Sequence, residues 1–261
     1  MDLHLKNKHV LITGGSRGIG LACAQGFLEE GAQVTIVSKN VDSVVAALRI
    51  LGSNSNVIGI DSDLTDPVQA LSMLENAVID GRGPIDILVN CAGAAQKTSP
   101  ETLSTEKFYD AMQAKFFTYI NVIDPLIKRM AERGTGSIVN VIGLGGKVAV
   151  PTHLPGGSAN AALMLSTAGY ANLYANKGVR VNAVNPIATD TDLLINSLEV
   201  DSTMNGISLE ESRTNAQNKT LLKRFVSPKE VADAVLFLSS DRASYINGQM
   251  LYLDGGMYPI I

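Results

Sequence analysis

The feature that most constrains the fold of this chain is a regular alternation of short apolar runs with stretches of helical spacing. The first apolar run, His9 to Ile12, ends in glycines and predicts a buried strand. Gly18 to Glu30 then predicts a helix, which ends at Gly31. The later predicted strands are 33–37, 57–60, 85–89, 137–142, 179–184 and 250–253. The later predicted helices are 41–51, 67–80, 105–133, 159–176 and 228–239.

Strands that are apolar throughout and joined by helices are typical of a parallel sheet covered on both faces. We therefore predict the α/β class: one domain over residues 1–261, a doubly wound Rossmann fold with a parallel seven-stranded sheet. Ligands of such folds bind at the carboxyl ends of the strands. The segment 190–224 is polar and lacks clear periodicity. A long irregular segment at this position predicts a lid over the cleft, or partial disorder.

Composition narrows the function classes. A net charge of −4 gives no electrostatic reason to expect nucleic acid or an anionic membrane as a partner. Cys23 and Cys91 predict buried thiols rather than a disulfide framework or a metal site. We see neither a signal peptide nor an apolar stretch that could span a bilayer, and we expect a soluble cytoplasmic protein.

A glycine pattern lies between the first strand and the first helix. Gly14 permits a tight turn, Gly18 lets the backbone approach a pyrophosphate, and Gly20 allows the helix to pack closely on the strand. The helix N-terminus offers free N–H groups and a positive dipole end to the phosphates. The pattern therefore predicts a dinucleotide site that also includes Ser16, Arg17 and Ile19.

The turn resembles that of the short-chain dehydrogenase/reductase family, and further blocks agree along nearly the whole chain. These blocks are Asp63-Leu64, Asn90-Cys91-Ala92-Gly93, Ser137-Ile138-Val139-Asn140, Gly178-Val179-Arg180-Val181-Asn182 and Asp254-Gly255-Gly256. The resemblance implies a nicotinamide-dependent oxidoreductase that transfers hydride to or from a small carbonyl or alcohol, assembled as a homodimer or homotetramer. It places Asp63 at the adenine, Asn90, Ala92 and Gly93 at the adenosine ribose, Asn160 toward the other ribose, and Pro186 and Thr191 beside the nicotinamide. Leu64 and Thr189 are expected among the cofactor-binding residues as well.

The residues at the end of the second strand indicate which nicotinamide cofactor is preferred. An acidic residue there would bind the ribose 2′-hydroxyl of NAD, but this chain has Ser38 followed by Lys39. Arg17 lies on the same side, and two cations without a carboxylate suit a 2′-phosphate. We predict NADP(H) over NAD(H); the alternative is that Lys39 is an ordinary surface lysine.

The proton-transfer residues implied by the resemblance are replaced. Counting from the blocks on both sides places Gly143 where the family has serine, Gly156 where it has tyrosine and Asn160 where it has lysine. Lys115 stands in the position of the family asparagine. General acid–base catalysis by the usual groups is therefore not expected here.

Three functions stay open. An oxidoreductase could use relocated groups, with Lys115 or His153 as the acid, Ser158 orienting a carbonyl and Asn160 facing the ribose. Each of these side chains could instead be an ordinary surface or packing residue. A lyase, hydrolase or isomerase could use the same cleft without redox chemistry. A protein that binds NADP without catalysis, or that serves assembly, is the third alternative.

Apolar residues predict the nature of the substrate pocket and of the oligomer contacts. A fairly apolar small molecule suits a pocket lined by Ala94, Ala95, Ile142, Leu144, Leu154, Leu193 and Leu194. Subunit contacts would use apolar positions on the two long helices, at Phe116, Phe117, Ile120, Val122, Leu163, Met164 and Leu165.

Overall fold

The computed structural model describes residues 1–52, 55–79, 81–93 and 97–258, and within them a seven-stranded sheet has the order β3-β2-β1-β4-β5-β6-β7. All neighbouring strands are parallel. The strands are β1 His9–Thr13, β2 Gln33–Ser38, β3 Val57–Asp61, β4 Ile87–Asn90, β5 Gly136–Val141, β6 Val179–Pro186 and β7 Met250–Leu253. The chain order reverses beside β1, as in a doubly wound Rossmann fold, so the predicted fold class is confirmed.

Helices cover both faces of this sheet. They are α1 Gly18–Glu29, α2 Val41–Ile50, α3 Pro67–Asn76, α4 Thr105–Ala111, α5 Thr118–Arg133, α6 Leu154–Tyr174, α7 Asp192–Asn205, α8 Leu209–Lys219 and α9 Pro228–Ser239. Along β1, Val10 and Ile12 face a core that includes residues of α1 and α9, whereas Leu11 faces a core that includes residues of α5 and α6. This alternation along one strand creates two hydrophobic layers.

Helix α6 begins five residues earlier than the sequence predicts. It starts at Leu154, so that Pro155 lies in its first turn and residues 156–158 are helical. Proline is well suited to a first turn because its missing N–H has no partner there anyway. The two glycines that follow are weak helix formers and hide this start in the sequence. The predicted end of α3 at Asp80 lies outside the described residues; the observed helix ends at Asn76.

The long helix predicted over 105–133 is interrupted. A π-helical turn, Met112–Phe117, separates α4 from α5. A π turn inserts one residue into the helical repeat and often occurs at functional sites. It contains Lys115, so the depth of this lysine in the protein could not be read from apolar spacing.

The segment 190–224 is largely helical, and the expectation of an irregular segment is wrong. Helix α7 ends at Asn205 and is followed by the C-cap residue Gly206, which has a φ of 63°. The Ser208 side chain caps α8 by accepting a hydrogen bond from Glu211 N. Leu194, Leu198 and Phe225 form a small apolar cluster. With so few apolar positions the helical period is faint in the sequence, and the cap and the helix-ending glycine define the two helices.

The apolar positions on the two long helices divide between the core and the surface. Val122 and Leu163 are buried, whereas Leu165 is 77% exposed and Phe117 is 39% exposed. Of these four residues, Phe117 and Leu165 are therefore the ones exposed enough to make the predicted oligomer contacts. None of the helices in the described part of the chain is long and apolar enough to cross a membrane.

Candidate active site

The glycine turn after β1 has the backbone shape that a phosphate group needs. Gly14 and Gly18 have φ values of 66° and 54°, which favour glycine. A Cβ at Gly20 would overlap the carbonyl oxygen of Gly14. Arg17 is the N-cap of α1 and makes no side-chain capping hydrogen bond. Within the described part of the chain no side chain caps the first N–H groups of α1, so the turn fits a dinucleotide pyrophosphate.

Side chains at the ends of β2 and β3 form the expected adenosine end of the site. Ser16 Oγ donates to Ser38 Oγ at 3.1 Å. Lys39 Nζ lies 2.7 Å from Asp63 Oδ2, although Lys39 was predicted to meet a 2′-phosphate and Asp63 the adenine. The Lys39 ammonium and the Thr65 hydroxyl hold the pKa of Asp63 below its usual value. The two predicted contacts are thus coupled through an ion pair whose lysine is 75% exposed.

Asn90 is part of a buried chain of hydrogen bonds beneath the carboxyl ends of the strands. Thr13 Oγ1 donates to Asn90 Oδ1 at 3.2 Å, and Asn90 Nδ2 donates to Asn140 Oδ1 at 3.0 Å. Asn140 Nδ2 then donates to Thr167 Oγ1 of α6, also at 3.0 Å. The chain ties β1, β4, β5 and α6 together. Sequence reasoning missed Asn140 and Thr167 as partners, although a polar residue inside an apolar strand was a signal.

The end of β4 packs directly against the π turn. Ala92 N donates to Thr13 Oγ1 at 3.3 Å, and Gly93 has a φ of 77°. A Cβ at Gly93 would overlap the carbonyl oxygen of Ala114 and lie 3.3 Å from Lys115 Cα. Gly93 thus brings the backbone of Lys115 against the predicted cofactor site. Leu64 is buried, and its carbonyl accepts a hydrogen bond from Asn121.

The start of α7 packs against the glycine turn. Thr191 is the N-cap of α7, and its Cγ2 is 3.3 Å from the Cβ position of Gly18. Its hydroxyl donates to the carbonyl of Thr189, and the Thr189 hydroxyl donates to that of Ile187. These bonds fix the chain between β6, which ends at Pro186, and α7. Thr191, which was predicted at the nicotinamide end, thus adjoins the phosphate turn.

Lys115 is the most unusual side chain in this region. It is 7% exposed, and Nζ donates to the hydroxyl of Tyr119 at 2.8 Å and to the carbonyl of Val141 at 3.1 Å. Burial lowers the pKa of Lys115 from 10.5 to about 8. The pKa of Tyr119, which is fully buried, is raised well above its usual value by the same cause. Sequence reasoning identified the lysine but not Tyr119, its partner one turn later.

His153 and Asn160 approach the loop that follows β5. A Cβ at Gly145 would lie 2.9 Å from His153 Cδ2 and 3.6 Å from Asn160 Nδ2. A Cβ at Gly143 would lie 3.4 Å from the same amide nitrogen. Partial burial lowers the pKa of His153, with smaller contributions from Lys97 and Lys115. Lys115, His153 and Asn160 therefore belong to one region of the structure.

Two of the predicted family positions have distinct surroundings. Gly143 has a φ of 116°, so a serine at this position would be strained. Gly156 is buried in the first turns of α6. The sequence contains no tyrosine followed four residues later by lysine at any position. Ser158 lies apart from the group: it is exposed, and its hydroxyl donates to the carbonyl of Leu154 in the same helix.

The predicted substrate pocket is described only in part. Ile142 and Leu144 are buried, and Leu154 and Leu193 are partly exposed. Leu194 belongs to the small cluster with Leu198 and Phe225. Ala94 and Ala95 lie outside the described residues. The apolar character of the loop after β5 is consistent with the predicted pocket.

The sheet order, the glycine turn after β1 and the uncapped helix that follows define a Rossmann-type dinucleotide-binding protein. A family model described as enoyl-(acyl carrier protein) reductase matches residues 14–258. The chain is 32% identical over 259 residues to a 3α-hydroxysteroid dehydrogenase of Mediterraneibacter gnavus, covering 98% of each chain. The protein therefore belongs to the short-chain dehydrogenase/reductase family.

Solved structures of reductases are similar over the whole fold. L-Sorbose reductase from Gluconobacter frateurii, complexed with NADPH and L-sorbose, has a TM-score of 0.91 and 29% identity, covering 100% of both chains. A variant of actinorhodin polyketide ketoreductase with NADPH has a TM-score of 0.92 and 28% identity, covering 97% of this chain and 98% of that one. Both similar structures contain the phosphorylated cofactor.

Proposed function

We propose that this protein is an NADP(H)-dependent oxidoreductase of small carbonyl compounds or alcohols in which Lys115 replaces the usual tyrosine as the proton donor. The observation that carries the proposal is the buried ammonium of Lys115, which Tyr119 and Val141 hold, on a residue whose backbone packs against Gly93. Its pKa of about 8 lies near neutral pH. A catalytic acid with a pKa near the working pH transfers protons efficiently.

The residues around the glycine turn would hold the cofactor. The N–H groups of α1 would bind the pyrophosphate, and Arg17, Ser38 and Lys39 would meet a 2′-phosphate. The cofactor, when bound, supplies or accepts the hydride. Asn160 would hydrogen-bond the ribose next to the nicotinamide, without the positive charge of the family lysine.

The protein side of the reduction is a single proton transfer. Lys115 donates a proton to the carbonyl oxygen as the carbon is reduced, and the neutral amine then regains a proton from water. Oxidation of an alcohol runs in the opposite direction, with the neutral amine as the base. His153 would border the substrate, and its lowered pKa keeps it mainly neutral at pH 7.

The two helices of the segment 190–224 would close over the cleft as a lid. Lys97, in the loop after β4, pairs with Asp201 of α7 at 2.6 Å, and both side chains are largely buried. This ion pair joins the two sides that the lid would connect. Exclusion of water by such a lid strengthens electrostatic interactions with a substrate.

Cofactor titration followed by a turnover assay tests the proposal. The fluorescence of NADPH and of NADH should be titrated with wild type, Arg17→Ala and Lys39→Ala; we expect both variants to weaken the binding of NADPH more than that of NADH. A panel of carbonyl compounds with NADPH should then show turnover that falls about 100-fold or more in Lys115→Met. Lys177→Met, just before the amino end of β6 and thus at the other end of the strands from the predicted site, serves as the charge-matched control.

Two results would reject this function. One is a protein that binds neither nucleotide. The other is turnover that Lys115→Met leaves unchanged, since Lys115 would then have no part in the proton transfer. Binding without turnover of any compound in the panel would favour the non-catalytic alternative.

A further inference from the structure

The ammonium group of Lys115 has one more hydrogen to donate than the protein uses. A protonated lysine carries three N–H donors. Two of them reach Tyr119 Oη and the Val141 carbonyl, which are both uncharged acceptors. Within residues 1–52, 55–79, 81–93 and 97–258, no third acceptor and no carboxylate pairs with this nitrogen. The third N–H is therefore available to a ligand.

The groups that face Lys115 do not balance its charge. They are the thiol of Cys91 at the end of β4, the Tyr119 phenol on the same helical stretch, and His153 before α6. A histidine can add positive charge but no negative charge. Lys97 also acts on His153, and its own charge is already balanced by Asp201. Among the residues that the structure describes, the Lys115 ammonium therefore has no negatively charged partner, which makes its burial costly.

We propose that the substrate is a 2-oxo acid, or the matching 2-hydroxy acid, whose carboxylate pairs with Lys115. This inference rests on the proposed function and names its substrate class. The carbonyl and one carboxylate oxygen of a 2-oxo acid lie on the same edge of the molecule, so one N–H can reach both. A bound carboxylate would offset the buried charge, while an apolar substituent would suit the buried Ile142 and Leu144.

The reaction balances with the groups already named. The carbonyl carbon of the 2-oxo acid accepts a hydride, with its two electrons, from NADPH. The carbonyl oxygen accepts the proton of Lys115, and the C=O double bond becomes a single bond. The products are the 2-hydroxy acid, NADP⁺ and a neutral amine, which water reprotonates. The carboxylate is unchanged and serves for recognition alone.

Benzoate and benzamide form a matched pair of probes because they have the same shape and differ in charge. Both should be titrated by calorimetry into the protein saturated with NADP⁺ at pH 7, 8 and 9. We expect benzoate to bind at least about tenfold more tightly at pH 7, an advantage that shrinks as Lys115 loses its proton above pH 8. Lys115→Met should remove the preference, and Lys177→Met should keep it.

A turnover comparison uses the same logic. With NADPH, benzoylformate should be reduced with a higher kcat/KM than its methyl ester, which has the same carbonyl but no charge. The wild-type comparisons of acid with amide and of acid with ester do not depend on a variant that folds.

The outcomes separate this inference from the proposed function. Equal binding of the two probes, or a benzoate preference that persists in folded Lys115→Met, overturns the inference. If NADPH binds and neutral carbonyls are reduced as well as acids, the oxidoreductase function stands and the substrate class is wrong. If neither nicotinamide cofactor binds, the proposed function fails, and the inference fails with it.

Discussion

Lys115 Nζ lies 2.8 Å from the hydroxyl of Tyr119, and both groups donate to the carbonyl of Val141. The two residues are one helical turn apart, with the lysine first. The family pair implied by the resemblance has the tyrosine first and the lysine four residues later. Here the tyrosine is fully buried. The geometry therefore makes the lysine the group that could meet a substrate and the tyrosine its support.

Tyr119→Phe should change the protonation of Lys115. The substitution removes one of two acceptors from a buried ammonium, so the charged form becomes less favourable and the pKa of Lys115 falls below about 8. Because reduction requires the protonated amine, the alkaline fall of kcat/KM should move to lower pH. A pH profile of NADPH-dependent reduction from pH 6 to 10 measures this shift.

Tyr174→Phe is the matched control, because this tyrosine lies at the far end of α6 and contacts Tyr170. It should leave the alkaline limb in place. Loss of the buried Tyr119 hydroxyl should also lower the unfolding free energy by about 1–3 kcal/mol. A Tyr119→Phe variant that is less stable but has an unshifted pH profile would show that the phenol has a structural role alone.

The buried lysine should make stability depend on pH. In the unfolded chain Lys115 has its ordinary pKa of 10.5, against about 8 in the folded protein. Between these values the unfolded state binds more protons, so the unfolding free energy contributed by this group rises with pH. At about 1.4 kcal/mol per pH unit, the rise from pH 8 to 9.5 is about 2 kcal/mol.

Urea unfolding of wild type and Lys115→Met at pH 7, 8, 9 and 9.5 tests this expectation. His153, whose pKa Lys115 helps to lower, is mainly neutral over this pH range in both proteins, so the difference between the two curves reports chiefly the titration of Lys115. The variant should be relatively more stable at pH 7, and its advantage should shrink as the pH rises. A difference independent of pH would mean that Lys115 keeps an ordinary pKa in the folded protein.

The fold was predictable because its signals are local. Each strand is a short apolar run, and the turn after β1 needs its glycines for steric reasons that the sequence pattern alone indicates. The elements whose bounds were predicted wrongly have weak local signals in the sequence. The α6 start is hidden by two glycines after Pro155, and the π turn at 112–117 changes the helical repeat without changing composition.

The candidate site was predictable as a set of residues but not as a set of contacts. Lys39 and Asp63 were assigned to different parts of the cofactor, yet they pair with each other across two loops. Tyr119 belongs to no recognisable sequence motif. It contacts Lys115 because the π turn buries that lysine in the protein. Such contacts join residues from different elements, and local sequence patterns do not show which side chains tertiary packing will bring together.

The Lys39–Asp63 ion pair should weaken the preference for NADPH. Asp63 neutralises the ammonium that a 2′-phosphate would use. Asp63→Asn removes this negative charge but keeps an oxygen that can accept from Thr65. We expect the Kd for NADPH to fall about threefold to tenfold at low salt, and less at high salt, because Lys39 is exposed and its charge is screened. The Kd for NADH should change little, because NADH has no 2′-phosphate to meet Lys39.

Asp124→Asn is the control for this prediction. It removes the carboxylate of a comparable exposed pair, Asp124 with Lys128 on α5, and should leave both nucleotide affinities unchanged. Fluorescence titrations at about 20 and 300 mM salt give the Kd of each nucleotide and show whether salt screens the effect of Asp63→Asn. If Asp63→Asn instead weakened the binding of NADPH, Asp63 would be holding Lys39 in position for the phosphate.

Replacing two glycines of α6 by alanine should change the unfolding free energy in opposite directions. A Cβ at Gly157 would lie 2.8 Å from the carbonyl oxygen of Gly145, whereas a Cβ at Gly169 would meet none of the described residues outside its own helix within 4 Å. Gly169→Ala should stabilise the protein by about 0.5–1 kcal/mol, because alanine loses less conformational entropy in a helix. Gly157→Ala should destabilise it by about 1–3 kcal/mol through overpacking.

The same pair tests whether α6 positions the site. Gly157 sets the approach of α6 to the loop of Gly145, which lies beside His153 and Asn160. Gly157→Ala should therefore lower kcat/KM as well as the urea midpoint, while Gly169→Ala raises the midpoint and leaves turnover unchanged. Equal stabilisation by both substitutions would mean that the loop moves freely away from α6. The close contact would then have no part in holding Asn160 near the predicted cofactor site.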